Sequence, residues 1–175
     1  MSERDNITRF EAAVLPHMDA AYNFARWLLR NDGDAADVVQ DSYLRAFKFF
    51  AGFRGADSRA WLLTIVRNTC YTWLQQHRSD QLMNPIDEAA EALVADGPDP
   101  ETLLLQRADA ELLRQALEKL PIEFREVIIL REMEGLSYKE IGMLADLPIG
   151  TVMSRLARAR RRLQQTLAGR LNQEA

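Results

Sequence analysis

The chain has 175 residues, a net charge of -4, an apolar fraction of 47% and one cysteine. That length holds one domain or two small ones. The lone Cys70 excludes an internal disulfide, and no apolar run nears the ~20 residues that span a bilayer. The polar, charged start from Met1 to Thr8 does not read as a secretory signal, so a cytoplasmic, reducing setting is expected.

The first expected helix runs from about Thr8 to Arg30. Thr8 and Glu11 form a capping-box pattern. Phe10, Val14, Met18, Tyr22, Ala25 and Leu29 then recur at helical spacing. Pro16 kinks or splits this helix, and Asn31-Asp32-Gly33 ends it. Asp34 is the expected cap of a second helix to about Phe50, with Val38, Val39, Tyr43, Leu44 and Phe47 on its apolar side. Gly52 and Gly55 bracket a loop. Asp57 or Ser58 caps a third helix to about His77, through Trp61, Leu62, Ile65, Val66, Thr69, Trp73 and Leu74.

Residues 79–101 lose periodicity and hold seven acids, no basic residue and three prolines. This composition reads as a flexible acidic linker. Four further helices follow. The first spans Leu103 to Leu120. The second opens with Pro121 at its first position and stops at Gly135. The third is capped by the Ser137/Glu140 box and runs to about Asp146. The fourth follows the turn Leu147-Pro148-Ile149-Gly150 and reaches about Ala168. No strand pattern is present. The expected fold is all-α: two small helical domains, 1–78 and 102–175, joined by the linker 79–101, the second containing a helix-turn-helix.

Residues 149–175 carry six arginines and a single acid, Glu174. In the last helix Val152, Leu156, Ala159, Leu163 and Leu167 form the buried stripe. Thr151, Arg155, Arg158 and Arg162 are expected on an outward face, flanked by Ser154 and Arg161. A capped helix, a Pro-x-Gly turn and an arginine-bearing helix together suit major-groove DNA binding. Met153 to Arg158 are placed to meet base edges, and Arg160 to Arg162 to meet the phosphate backbone.

The third helix carries a different chemistry. From Arg59 to Arg78 there is no acid. Arg67, Asn68 and Tyr71 lie among Trp61 and Trp73, with Phe53 and Arg54 in the loop before. Basic groups interleaved with aromatic faces suit single-stranded DNA. Trp61 and Trp73 fit a core stripe equally well, and Phe53 is the better stacking candidate. On the second helix, Asp34 and Asp37 favour the helix dipole. Asp41 lies a turn further on and points to a protein-contacting face.

These strings together resemble a known family. Asp34-Ala35-Ala36-Asp37-Val38-Val39-Gln40-Asp41, Trp61-Leu62 with Ile65-Val66-Arg67-Asn68, and Gly135-Leu136-Ser137-Tyr138-Lys139-Glu140-Ile141 with Pro148-Ile149-Gly150-Thr151-Val152 and Ser154-Arg155-Leu156 occur in that order. In this the chain looks like a bacterial RNA polymerase sigma factor of the extracytoplasmic-function group, over about residues 8–170. The resemblance implies several roles. Asp37, Gln40 and Asp41 bind core RNA polymerase at the clamp of its largest subunit. Phe53, Arg54, Trp61, Arg67, Asn68 and Tyr71 serve the melted minus-ten element, with a flipped base held by the loop at about 50–57. Thr151, Met153, Ser154, Arg155, Arg158, Arg161 and Arg162 serve the minus-thirty-five duplex. It also implies promoter DNA and an anti-sigma factor as partners and a linker that threads the polymerase active-site channel, where the seven acids of 79–101 are expected to mimic the path of RNA phosphates.

Four features depart from the pattern, the first being the end of the third helix, Gln75 to Asp80, which is less basic than in many relatives. Met153 stands where many relatives have Lys or Arg. Gly142 stands inside a helix in place of alanine, at an expected cost of ~1 kcal/mol. Asp146 stands where glycine is common. The alternative function is a stand-alone helix-turn-helix regulator of duplex DNA, which needs neither the aromatic-basic helix nor the acidic tether. His17, His77 and Cys70 form no metal or triad constellation, so no enzyme activity and no cofactor are expected.

Overall fold

The computed structural model describes residues 2–55, 57–77 and 110–174, with side chains to residue 169. Among them every regular element is helical and there is no strand. They divide into two compact units, and the short stretch Met143–Asp146 groups with the first although its helix begins in the second. The expected linker, 79–101, and residues 103–109 of the expected fourth helix lie outside the described residues.

In the first unit, α1 spans Glu3–Val14. Its cap is Ser2 rather than Thr8. The Asp5 N–H donates to Ser2 Oγ at 3.2 Å, and the Ser2 N–H donates to the Asp5 carboxylate at 3.3 Å. Thr8 sits inside the helix and donates its hydroxyl to the Arg4 carbonyl, 3.0 Å away. Pro16 splits the predicted helix. A 3-10 turn, Leu15–His17, separates α1 from α2, Met18–Leu29. Arg30 then adopts a left-handed φ of 59°. Asn31, not Asp34, caps α3, Asp32–Phe49, because its Oδ1 accepts from the Asp34 N–H at 2.9 Å. A 3-10 turn, Phe50–Gly52, leads to the loop. Asp57 caps α4, Ser58–Gln76, by accepting from the Ala60 N–H at 3.0 Å.

The core of this unit gathers Phe10, Val14, Phe24, Leu28, Val38, Leu62, Leu63 and Val66 where α2, α3 and α4 pack on one another. Each large side chain buried there contributes ~1.5–3 kcal/mol. On α3 the buried stripe is Ala35, Val38, Val39, Ser42 and Ala46. Leu44 and Phe47, expected on that side, are 59% and 40% exposed. Spacing outranks hydrophobicity here, since 35, 38, 39, 42 and 46 hold one helical face. Small residues let α3 approach its neighbours closely. The buried Ser42 hydroxyl is satisfied by the Val38 carbonyl at 2.7 Å.

In the second unit, α5 spans Ala110–Lys119 and α6 spans Ile122–Ile128. Pro121 takes the N-cap with extended backbone (φ -52°, ψ 146°), one place before the expected first helical position. The buried Arg125 donates from Nη1 to the Leu120 carbonyl at 2.7 Å and the Glu118 carbonyl at 3.2 Å, satisfying the end of α5. α6 continues into a π-helical turn, Ile129–Met133, which sequence periodicity did not foresee. The Glu134 N–H reaches back to the Ile129 carbonyl, and Gly135 stops the run with φ +68°. The Ser137/Glu140 capping box forms as expected, with bonds of 3.0 and 3.1 Å, and opens α7, Tyr138–Ala145.

The end of α7 is a Schellman motif. Asp146 holds a left-handed φ of 56°, and the Leu147 N–H donates to the Gly142 carbonyl at 2.8 Å. A Cβ on Gly142 would lie 2.8 Å from the Leu147 carbonyl oxygen. The expectation that Gly142 merely costs helix propensity is therefore incomplete, because alanine does not fit this turn without displacing it. The last helix, α8, spans Ile149–Glu174, beyond the expected end at Ala168. Val152, Leu156, Ala159, Leu163 and Leu167 are buried along it.

Candidate nucleic-acid and partner interfaces

Asp37, Gln40 and Asp41 are all exposed on α3. Leu44 completes their face at i, i+3, i+4 and i+7. Asp41 pairs with Arg45 at 3.2 Å, a surface contact worth little to stability. Asp37 and Asp41 rim a cleft of about 80 Å³ that Arg45 shares with Thr72, Trp73 and Gln76 of α4. Trp73 also stacks on His77, with centroids 4.0 Å apart. That ring therefore belongs to the α3–α4 cleft. An exposed leucine ringed by carboxylates on a rigid helix pair suits a protein partner with basic and apolar groups. Sequence reasoning counted Leu44 as core; its register with Asp37 and Asp41 was the available signal.

The loop before α4 builds an aromatic cluster. Phe53 packs against Trp61 with centroids at 4.7 Å and stacks over Phe50 at 6.1 Å, while Phe50 meets Phe10 edge-on at 5.4 Å. Phe53 and Trp61 are both half-buried, so each packs against its neighbour while keeping part of its ring accessible. A Cβ on Gly55 would meet the Phe53 ring at 3.1 Å, so a glycine lets the loop close over it. Arg54 is exposed beside an open depression of about 550 Å³, shared with Arg9, Phe50, Phe53, Gly55 and Ser58. Arg9 comes from α1, and nothing in its local sequence marked it. Its guanidinium lies 5.8 Å from the Phe50 ring centroid.

Six to ten residues beyond Trp61, about 9–15 Å along the helix axis, lies the second group on α4. The Arg67 guanidinium sits 4.3 Å from the Tyr71 ring centroid and donates to Asn68 Oδ1 at 3.4 Å. This places a cation, an amide and a ring together, the combination that stacks and neutralises single-stranded nucleic acid.

On α8, the expected readers divide. Met153 is exposed, while Thr151, Ser154, Arg155, Arg161 and Arg162 are partly buried. Ser154 donates its hydroxyl to the Thr151 carbonyl at 3.1 Å. Arg162 lies over the Phe124 ring at 4.8 Å, and Arg160 pairs with Glu132 at 2.9 Å, so both contribute to packing within the unit. Arg158 corrects the outward placement, being only 5% exposed. Helical periodicity gives the direction in which a side chain leaves the helix, not whether protein atoms already lie there. Among the described residues no group of three or more His, Cys, Asp or Glu could hold a metal ion. No described helix is long and apolar enough to cross a membrane.

Comparison with known proteins identifies the family. Residues 13–79 match the family model for sigma-70 region 2, and residues 110–163 match that for sigma-70 region 4. The ECF RNA polymerase sigma factor SigE of Mycolicibacterium smegmatis is 32% identical over 159 residues, covering 91% of this chain but 62% of that protein's length. The ECF RNA polymerase sigma-E factor of Salmonella typhimurium is 36% identical over 135 residues, covering 73% of this chain and 71% of the relative. Among solved structures, the sigma factor RpoE of Bartonella quintana, crystallised with the anti-sigma factor NepR, superposes with a TM-score of 0.70 at 31% identity. That match covers 91% of this chain and 97% of RpoE. CnrH, solved with the cytosolic domain of CnrY, gives 0.63 at 28% identity over 91% of this chain and 88% of its own. The chain belongs to the extracytoplasmic-function group of RNA polymerase sigma factors.

Proposed function

We propose that the protein is a dissociable, non-catalytic initiation factor that binds core RNA polymerase in the cytoplasm and directs it to promoters. The observation that carries this reading is the pairing of two helical units with different surface chemistry. One has an aromatic-basic face beside an acidic helix, and the other an arginine-rich helix after a tight turn. Residues 1–78 act as the polymerase-binding and minus-ten domain, 79–101 as the linker and 102–175 as the minus-thirty-five domain. Asp37, Gln40 and Asp41 contact the polymerase clamp, and Leu44 at i+7 from Asp37 adds an apolar anchor. Phe53, Arg54 and Trp61 receive an extruded minus-ten base in the depression beside Phe50. Arg67, Asn68 and Tyr71 track the neighbouring strand. Thr151, Met153, Ser154, Arg155 and Arg161 meet the minus-thirty-five duplex. Arg162 contributes through its packing on Phe124, and the buried Arg158 is left out of the duplex contact.

An anti-sigma factor is the proposed regulatory partner. The exposed Leu15, Leu44 and Phe49 of the first unit give it apolar surface to cover. The experiment is transcription from a genomic promoter library by core polymerase with the purified chain, with transcript starts mapped. Defined starts sharing minus-ten and minus-thirty-five elements support the reading. Duplex binding by the chain alone, without polymerase binding, refutes it in favour of a stand-alone regulator.

A further inference from the structure

The side of α8 that meets bases differs in chemistry from what its arginines suggest. Gly150, Met153, Ser154 and Ala157 share one helical side by their spacing, away from the buried Val152, Leu156, Ala159 and Leu163. Within these first two turns, Met153 is the large side chain at the centre of that side, and it is 51% exposed. Ile149 flanks it one turn earlier and is also exposed. The Ser154 proton is spent on the Thr151 carbonyl, which leaves that hydroxyl as an acceptor. A Cβ at Gly150 would meet open space, so nothing bulky holds base edges off the helix there. Arg155 lies roughly 160° around the helix from Met153, taking 100° per residue. No forked donor of the kind that guanine requires stands beside Met153 in these turns. Residues 149–169 nonetheless carry five arginines and no acid, a charge complementary to DNA phosphates.

The major groove has one apolar determinant on its base edges, the C5-methyl group of thymine. A thioether side chain is flexible and polarizable enough to cover it. Building on the reading of α8 as the minus-thirty-five helix, we propose that Met153 is a specificity-determining residue. It selects thymine by packing against its C5-methyl group, with Ile149 and Ala157 closing the contact. The same chemistry accepts 5-methylcytosine in place of thymine and discriminates against cytosine and uracil.

The test uses holoenzyme made from the full chain and core polymerase. A promoter library first identifies the preferred minus-thirty-five sequence. Each thymine of that element is then replaced by deoxyuridine, and cytosine or 5-methylcytosine is placed at the sensitive position. One or two positions should lose about fourfold in transcript yield as deoxyuridine, the effect of one methyl group leaving an apolar contact. Cytosine should be used poorly there, and 5-methylcytosine should recover part of the loss. Met153→Ala should bring the thymine-to-uracil ratio near one, whereas Met153→Leu should keep it. Equal use of thymine and deoxyuridine at every minus-thirty-five position overturns the inference and leaves the sigma-factor reading intact. Discrimination that persists in Met153→Ala does the same. Absence of transcription from every library member overturns both.

Discussion

Gly142→Ala separates two opposing effects on one residue. Inside a helix, alanine is favoured over glycine by ~1 kcal/mol. By propensity alone the substitution stabilises α7. The geometry argues the reverse. The new methyl would lie 2.8 Å from the Leu147 carbonyl oxygen, closer than real Cβ contacts come, while Val152 and Ile149 stand at ordinary distances of 3.8 and 3.9 Å. The carbonyl cannot swing away cheaply, because Leu147 donates its N–H to the Gly142 carbonyl and Asp146 holds the left-handed bend between them. Overpacking of this kind costs ~1–3 kcal/mol, and losing the capping bond adds ~1 kcal/mol. The balance is a net loss of about 1–3 kcal/mol, hence a lowered midpoint of about 4–8 °C per kcal/mol for a domain of this size. Far-UV circular dichroism of the full chain measures it. A raised midpoint in Gly142→Ala would refute the steric argument.

Asp146→Gly should act in the opposite direction, raising the same transition by ~1 kcal/mol, because glycine adopts the φ of 56° at no steric cost. An unchanged or lowered midpoint contradicts it. Leu44→Asp should weaken binding to core polymerase at least tenfold in a fluorescence-anisotropy titration while leaving the melting curve in place, since Leu44 is 59% exposed. A variant that binds normally removes Leu44 from the interface. Arg114 hydrogen-bonds Glu111, with the Gln115 amide beside it, and holds that carboxyl below its ordinary range. With the folded value depressed, the contribution is present above the unfolded value and fades as pH falls through the folded one. Carboxyl NMR shifts should show the Glu111 midpoint rising in Arg114→Ala, and a fixed midpoint would contradict the cause.

Where local chemistry settles a boundary, the sequence was legible. Ser137 and Glu140 bond each other's backbone as their spacing demands, and Gly135 takes the positive φ that its position suggested. Where two residues compete for one role, it was not. Ser2 caps α1 ahead of Thr8, and Asn31 caps α3 ahead of Asp34. In each pair both residues have the needed oxygen, and only the chain's path decides. Leu44 and Phe47 were read as core because they are apolar, yet the small residues Ser42 and Ala46 keep the helical register. The π turn at Ile129–Met133 leaves no compositional trace, since each of its residues also suits an α-helix. At the candidate surfaces the residue types were readable. Their partners were not, because contacts such as Arg9 over Phe50 and Arg162 over Phe124 join residues far apart in sequence.

Two neighbours on α8, Val152 and Met153, live under different rules. Val152 is fully enclosed, so almost any change there is a change in folding. Met153 stands half in solvent, so many substitutions leave the unit folded while altering what the helix presents to a base pair. On the proposed role of Met153, drift at position 153 is cheap in stability and expensive only in promoter choice. A duplicated copy of this chain could acquire a separate set of promoters by a single substitution there, without first passing through an unfolded intermediate sequence.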